Sequence, residues 1–454
     1  MPRDSFSSLV SRGYRDYGML AVLVLLCTFF SVVTLTEQQP SGEKAAASLY
    51  DRMRIEMHVE SNVIIVSRQT IEDSLFSRAL TAMLIDGGYH VAAVISGDPQ
   101  LIRESLASAL TDEASVGVLA VSPSVSATMT SIVAQLPPLQ SVPILTPPSD
   151  RWPTFLLADN IRNVANQIAV IAIIAIGMTM VIISGGIDLS VGSLIALSAV
   201  LVAWSIEALG GIGASMTGMI AASCAAILIC GLSGVFSGVM ITAFRIPPFI
   251  ATLAVMQVAA GIAYIISKGM PIYQLPDRFV WLGRGAEPFL RIPIAVLLMA
   301  ALYVIAHIVM TRTTFGRYVY AVGGNPEAAR LAGIRIHYVS WAVYTISAAL
   351  AWLGGVLMAS QLKSGAPTYG AGYELNVIAA VVVGGTSLSG GEGRISGTLI
   401  GALVIGVIQN GMNLTNVESY TQKVVLGLVI LGAVLLDQLK HRGFTRMLQR
   451  QMQR

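Results

Sequence analysis

The chain of 454 residues is 54% hydrophobic and only 12% charged, with a mean hydropathy of +0.72. Soluble domains carry about 25% charged residues, so the composition excludes an ordinary soluble protein and points to an integral membrane protein. A net charge of +3 is too small to suggest nucleic-acid binding. Cys27, Cys224 and Cys230 all lie in apolar runs, and with the scattered histidines they give neither a disulfide framework nor a metal spacing.

A membrane-crossing helix needs about 20 mostly apolar residues. The first candidate spans 17–36, after Arg3, Arg12 and Arg15, which places the N-terminus in the cytoplasm. It ends SVVTLTEQQP without a small-x-small cleavage site, so it reads as an uncleaved anchor rather than a signal peptide.

Residues 41–150 differ in kind and read as a small α/β domain outside the cytoplasm. Residues 43–58 are expected to form a helix joining it to the anchor. NVIIVS (62–67), HVAAVIS (90–96), SVGVLAVS (115–122) and SVPILT (141–146) read as strands. Between them an amphipathic helix runs Ile71–Asp86, with Leu75, Ala79, Leu80, Met83 and Leu84 on its inner face, and Gly87-Gly88 ends it. Asp98-Pro99 opens a second helix and 125–136 forms a third. Alternating strands and helices predict a parallel sheet. No G-x-G-x-x-G follows the first strand, which argues against a dinucleotide site. The helix ending in GGYHV, then GVLAVSP and VPILTPPSD, resemble the N-terminal lobe of periplasmic sugar-binding proteins. Only one lobe is present, and half a cleft buries too little of a small ligand. The domain therefore reads as a docking or structural element, or as half of a cleft completed by another lobe.

Apolar sequence then runs almost unbroken from 164 to 437. Divided at Gly, Pro and charge clusters, it gives nine helices near 164–184, 187–207, 214–243, 247–268, 292–311, 339–360, 374–390, 395–413 and 421–437. With the anchor there are ten, which returns the C-terminus to the cytoplasm. The tail cations Lys440, Arg442, Arg446, Arg450 and Arg454 agree, as do Arg312, Arg317, Arg330 and Arg335 in the loop 312–338. The outside loop 269–291 runs against the trend with Arg278, Arg284 and Arg291, only partly offset by Asp277 and Glu287.

Two Gly-rich stretches interrupt the spans: SGGIDLSVGS (184–193) and VGGTSLSGGEGRISG (383–397). Helices break inside membranes where the freed backbone lines a cavity or is covered by protein, and such breaks mark substrate pathways. Aligned without gaps from Gly185 and Gly384, the stretches match at Gly, Gly, Leu, Ser and the last Gly, which suggests two related halves. Asp188 reads as capping the free N–H groups of the following helix rather than touching substrate, the competing reading being a solvated carboxylate at the membrane edge. Ser184, Gly185, Gly186, Asp188 and Ser190 form the first break. Gly384, Gly385, Thr386, Ser387 and Ser389 form the second, and Asn376 lies just before it. Their hydroxyl and amide groups are candidates for the translocation path, or for plain interhelical packing.

In the loop TTFGRYVYAVGGNPEAARLAGIRIHYV, Asn325-Pro326 opens a short helix with Glu327 in its first turn, and Gly333 ends it. Such a helix makes a rigid cytoplasmic knob. Together with GMTMVIISGGIDLSVGSLIALSAV (177–200), IPPFIATLAVMQVAAGIAYIISKG (246–269), FGRYVYAVGGNPEAARLAGI (315–334) and NVIAAVVVGGTSLSGGEGRISGTLIGALVIGVIQNGMNL (376–414), it resembles the permease subunit of bacterial ribose-type ABC importers. FLLADNIRNVANQ (155–167) resembles the same family's approach to its second helix. The resemblance covers about 155–437; the 41–150 insertion departs from it.

The chain therefore reads as an α-helical polytopic membrane protein of about ten transmembrane helices with a small extracytoplasmic α/β domain, foreign to the resembled family, inserted after the first. The domains are 1–40, 41–150, 151–437 and the basic tail 438–454. The resemblance implies that Asn325, Pro326, Glu327, Ala328, Ala329 and Gly333 form a coupling helix docking on an ATPase. No G-x-x-x-x-G-K-[ST] occurs in the chain, so ATP binding falls to cytoplasmic ATPase subunits, with no cofactor or metal here and no enzymatic activity. The other partners are a second permease copy or homologue, membrane lipid and a periplasmic solute-binding protein. The expected site is the bacterial inner membrane, and the solute is small and neutral, foremost a monosaccharide. Two rival classes remain. An ion-coupled secondary transporter would need more ionisable groups within the spans, whereas Asp188 and Glu374 fall at span edges and Glu207 at a helix end. A membrane-anchored sensor leaves the 315–334 and 376–414 motifs without a role.

Overall fold

The computed structural model describes residues 6–57, 61–109, 116–273 and 275–452, with side chains within the terminal helices from Gly18 and up to Leu435. Arg3 and Arg454 lie outside the described residues. Arg12, Arg15, Lys440, Arg442, Arg446 and Arg450 lie on helical backbone whose side chains are outside the description. The chain divides into two compact units, Met1–Thr34 with Phe155–Arg454, and Leu35–Thr154.

After α1 (Phe6–Val33), the second unit runs β1 (Leu35–Gln38), α2 (Gly42–Glu56), β2 (Asn62–Ser67), α3 (Ile71–Asp86), β3 (His90–Ser96), α4 (Pro99–Ala109), β4 (Val118–Val121), α5 (Pro123–Ala134), β5 (Ile144–Leu145) and β6 (Asp150–Pro153). The inner four strands form a parallel sheet in the order β3-β2-β4-β5. Strand residues alternate between faces. Val63 and Ile65 pack with Leu49, Met53, Phe76 and Leu80 of α2 and α3, while Ile64 and Val66 pack with Ile102, Leu106 and Met129 of α4 and α5. Helices thus cover both faces, and each face carries its own apolar layer. α3 keeps its expected bounds but turns its inner face: Asp73, Phe76, Ser77, Leu80 and Leu84 are buried, while Leu75 is exposed. The stripe at i, i+3, i+4 that includes Phe76 buries more apolar surface than the one that includes Leu75. Asp98 Oδ1 accepts from Leu101 N–H at 2.9 Å, and Pro99 opens α4. The short ribbon of β1 paired antiparallel with β6 has no counterpart in the strands read from the sequence.

The first unit continues with α6 (Ala158–Ile183), α7 (Val191–Ala208), α8 (Met216–Ala243), α9 (Pro248–Ser267), α10 (Asp277–Arg284), α11 (Ile294–Arg312), α12 (Thr314–Gly324), α13 (Pro326–Leu331), α14 (Ile336–Leu362), α15 (Tyr373–Val383), α16 (Ile395–Leu414) and α17 (Ser419–Met452). Among the described residues α6, α7, α8, α9, α11, α14 and α16 are long and apolar enough to cross a membrane, and Gly18–Val33, Tyr373–Val383 and Ser419–Leu435 are shorter apolar helices. The protein is a mostly helical, multi-pass membrane protein.

Four differences from the sequence reading matter. The stretch 374–390 is not one helix, because α15 stops at Val383. The helix expected from 187 starts only at Val191. The loop 269–291 contains α10, and the loop 312–338 is mostly helix, with α12 preceding the knob. α10 and α12 are short and amphipathic, so a search for long apolar runs passes over them.

α6 runs through the centre and is buried at every position from Ile168 to Ile183. α14 crosses it closely: a Cβ on Gly177 would lie 2.7 Å from Ser347 Cα, and one on Gly234 of α8 would lie 2.8 Å from Thr345 Cα. Small residues let backbones approach, which is the main source of packing between helices in lipid.

Candidate functional site

The first break begins with a left-handed turn. Gly185 has φ +86°, and Gly186 N–H donates to Val181 O at 2.9 Å, closing α6 in a Schellman motif. The Ser184 hydroxyl donates back to Val181 O at 2.8 Å and is spent on its own helix. The chain then runs without helical bonds to Ser190, the N-cap residue of α7. Asp188 is only 2% exposed. Its Oδ1 accepts from the Ser190 N–H (3.0 Å) and hydroxyl (2.6 Å), and its Oδ2 accepts from the Ser347 hydroxyl at 2.8 Å.

This corrects two expectations. Asp188 binds the N–H of the cap residue itself rather than those of the first turn. It also does not lie at a span edge. Ser347 is eleven residues beyond Ile336, the start of α14, or about 16 Å along the helix at 1.5 Å per residue. The carboxylate is deep in the bundle, where burial without donors would be costly. Thr252 of α9 holds the same stretch: its hydroxyl oxygen accepts from Leu189 N–H at 3.2 Å and lies 3.2 Å from Ile187 O and 3.0 Å from Pro248 O. Tyr344, 3% exposed, brings its hydroxyl to the point a Gly186 side chain would occupy, and that hydroxyl has no hydrogen-bond partner.

The second break repeats the turn. Gly385 has φ +87°, and Thr386 N–H donates to Val381 O at 3.2 Å. Backbone geometry therefore pairs Gly185 with Gly385 and Gly186 with Thr386. The ungapped alignment from Gly185 and Gly384 is one residue out of register, because matching glycine letters ignores which glycine carries the positive φ. Thr386 and Ser387 are buried, and the Thr386 hydroxyl has no partner. Ser387 N–H donates to Glu392 O at 3.1 Å, and its hydroxyl accepts from Ser389 N–H at 3.3 Å. Asn376 is not brought to this break: it lies eight residues before Gly384, about 12 Å up α15.

The breaks meet. Gly391 N–H donates to Ile183 O at 2.8 Å, so the second break rests on the last residue of α6. The end of α12 packs into this junction. Tyr320 donates its hydroxyl to Gly393 O at 2.8 Å, and a Cβ on Gly323 would collide with Ile183 O. α13 follows directly. Asn325 Oδ1 accepts from Ala328 N–H at 3.0 Å, Pro326 opens the helix, Glu327 lies in its first turn, and Gly333 leaves at φ +83°. Ala329 is buried, whereas Glu327, Ala328 and Leu331 are exposed, Leu331 at 90%. Among the described residues, no group of three or more His, Cys, Asp or Glu is placed to hold a metal ion.

Sequence reasoning missed Thr252, Tyr320, Gly323, Tyr344 and Ser347. Gly323-Gly324 beside the knob was a visible signal; the others are ordinary helical residues marked only by what they touch.

A family model described as "Branched-chain amino acid transport system / permease component" matches residues 160–434. The ribose import permease of Escherichia coli strain K12 is 42% identical over 296 residues, covering 63% of this chain and 88% of the relative. That of Bacillus subtilis strain 168 is 45% identical over 288 residues, with 63% and 87% covered. The L-arabinose transport system permease of Escherichia coli strain K12 is 37% identical over 291 residues, with 64% and 86% covered. No solved structure matches the chain. The family match takes in both breaks, the junction and the knob, well over half of the sequence, and the chain belongs to this family of transport-system permease components.

Proposed function

We propose that the chain is the membrane-spanning subunit of an ABC importer for a monosaccharide, foremost a pentose such as the ribose and arabinose named for its relatives. Ten spans fit the helices: the seven long ones with α1, α15 and α17. This topology puts both termini, both breaks and α12–α13 in or toward the cytoplasm, and the Leu35–Thr154 unit outside. The observation that carries the reading is the junction of α12 with the two breaks. α13 presents an exposed apolar and acidic tip, Leu331 and Glu327, to a separate ATPase subunit. Displacement of α13 passes through the C-terminal end of α12, Tyr320 to Gly324, to Ile183, Gly391 and Gly393, and both breaks move together. Asp188 and Ser190 keep the first break in shape. Exposed Gly185, Gly385 and Ser389, with half-buried Asn376, line the path. The remaining partners are a second permease copy and a solute-binding protein.

The test is co-purification with the cognate ATPase, together with pentose uptake in proteoliposomes. Leu331→Asp is expected to abolish both while the permease still inserts. Full ATPase binding and uptake by that variant would refute the docking role of α13. ATP-independent uptake driven by an ion gradient would establish a secondary transporter instead.

A further inference from the structure

Glu374 is the second residue of α15 and lies against Gly192 of α7, where a Cβ would collide with its Oε2. Gly192 is two residues beyond Ser190, and Ser190 is bound to Asp188, which reaches Ser347 in the interior of α14. Ser347 has eleven residues of α14 on one side and fifteen on the other, about 16 and 22 Å. Glu374 is therefore near mid-depth of the bundle and not at a span edge. The connection leading to it, 364–372, carries no regular helix and follows α7: a Cβ on Gly370 would lie 2.8 Å from Ile195 Cβ, and one on Gly365 would meet Ala199 O. At membrane depth such backbone is tolerated against protein or along a water-filled path.

Glu374 is half-buried, and among the described residues no hydrogen bond or ion pair engages its carboxylate. No first-turn N–H of α7 donates to it, so it is not a helix cap. Ionisable groups at this depth almost always face the bundle interior or a water-filled cavity, and a half-buried carboxylate without a partner fits the second.

We propose that the Glu374 carboxylate lines the translocation path and accepts hydrogen bonds from two neighbouring hydroxyls of the passing sugar. This rests on the reading of the chain as a monosaccharide permease. Carboxylate oxygens are acceptors only, and a vicinal diol offers two donors at matching spacing. The fit favours a neutral polyhydroxy solute over an anion, which the charge would repel.

The experiment uses the full permease with its ATPase and solute-binding subunits in proteoliposomes, in a background carrying Cys27→Ser, Cys224→Ser and Cys230→Ser. Glu374→Cys is expected to react with a charged, water-borne methanethiosulfonate, and ribose is expected to slow that reaction. If the first variant fails to insert, the near-isosteric Glu374→Gln of the second arm decides the matter by itself. In a second arm, Glu374→Gln should cut ribose uptake about tenfold, as expected for weakening one charged hydrogen bond, with ATPase co-purification at the wild-type level. Labelling only by a lipid-soluble maleimide, labelling indifferent to sugar, or unchanged uptake by Glu374→Gln overturns the proposal. If the wild-type complex imports no pentose or hexose, the sugar reading fails instead, a result separate from any of these.

Discussion

A buried carboxylate with no cation beside it needs a donor for each oxygen, and Asp188 has three. Removing one of them is the direct probe. Ser347→Ala leaves Oδ2 without its hydroxyl and should cost about 1–3 kcal/mol, read as a lower Tm of the detergent-solubilised protein. Tyr344→Phe should do the opposite or nothing, because the hydroxyl it removes is buried and unpartnered. Gly186→Ala should destabilise, since its new Cβ would collide with that hydroxyl, and Tyr344→Phe should restore much of the loss in the double variant. Equal Tm values for Gly186→Ala with and without Tyr344→Phe would show that the two do not touch. Asp188 was visible in the sequence as a lone charge within a break. Ser347 was not, because it lies 159 residues away and nothing in its own neighbourhood marks it.

At the scale of elements, the long spans were legible because hydropathy alone sets them. What was lost is what hydropathy does not encode: the left-handed glycine that sets the register of each break, and α10 and α12, which are too short and too amphipathic. α12 matters most. Gly323→Ala should wedge α12 away from Ile183 O, abolishing uptake while α13 still recruits the ATPase. Tyr320→Phe removes one hydrogen bond to Gly393 O, about 0.5–1.5 kcal/mol, and should slow uptake several-fold. Wild-type uptake by Gly323→Ala would disprove the junction as the transmission element. α10 carries a pH-dependent contact. The hydrogen bond from Lys363 Nζ to Asp277 at 2.5 Å, and then the charge of that ammonium, hold the Asp277 carboxyl below its ordinary range. A lowered carboxyl pKa stabilises the fold above the unfolded value, near about 4, and that contribution is lost as pH falls through the folded value. Lys363→Met should therefore lower Tm slightly at pH 7, with the difference from wild type vanishing as pH falls below about 4. The effect is small because Asp277 is almost fully exposed and Lys363 nearly half so.

At the scale of the whole molecule, the sequence announced an inserted α/β piece through its alternation of strands and helices, but not how it closes. The pairing of Leu35 with Pro153 brings its two ends side by side, the arrangement in which an insertion disturbs its host least. With an apolar layer on each face of its sheet, the Leu35–Thr154 unit has a core of its own and should unfold cooperatively when expressed alone. Its behaviour toward sugars follows from the ends of its strands. In a parallel sheet of this order the natural crevice lies beyond the C-terminal ends of β2 and β4. There Asp73 Oδ2 already accepts from Arg68 N–H at 3.1 Å and from the Ser124 hydroxyl at 2.5 Å, and the Ser67 hydroxyl is joined to those of Ser77 and Ser96. Groups satisfied among themselves gain little by turning to a ligand, and a single lobe covers only one side of it. Calorimetry of residues 35–154 against pentoses and hexoses is therefore expected to show no saturable heat at micromolar concentrations, which favours a docking or structural role. Saturable micromolar binding would mean that this network opens toward the sugar, and the permease would then carry half of its own receptor.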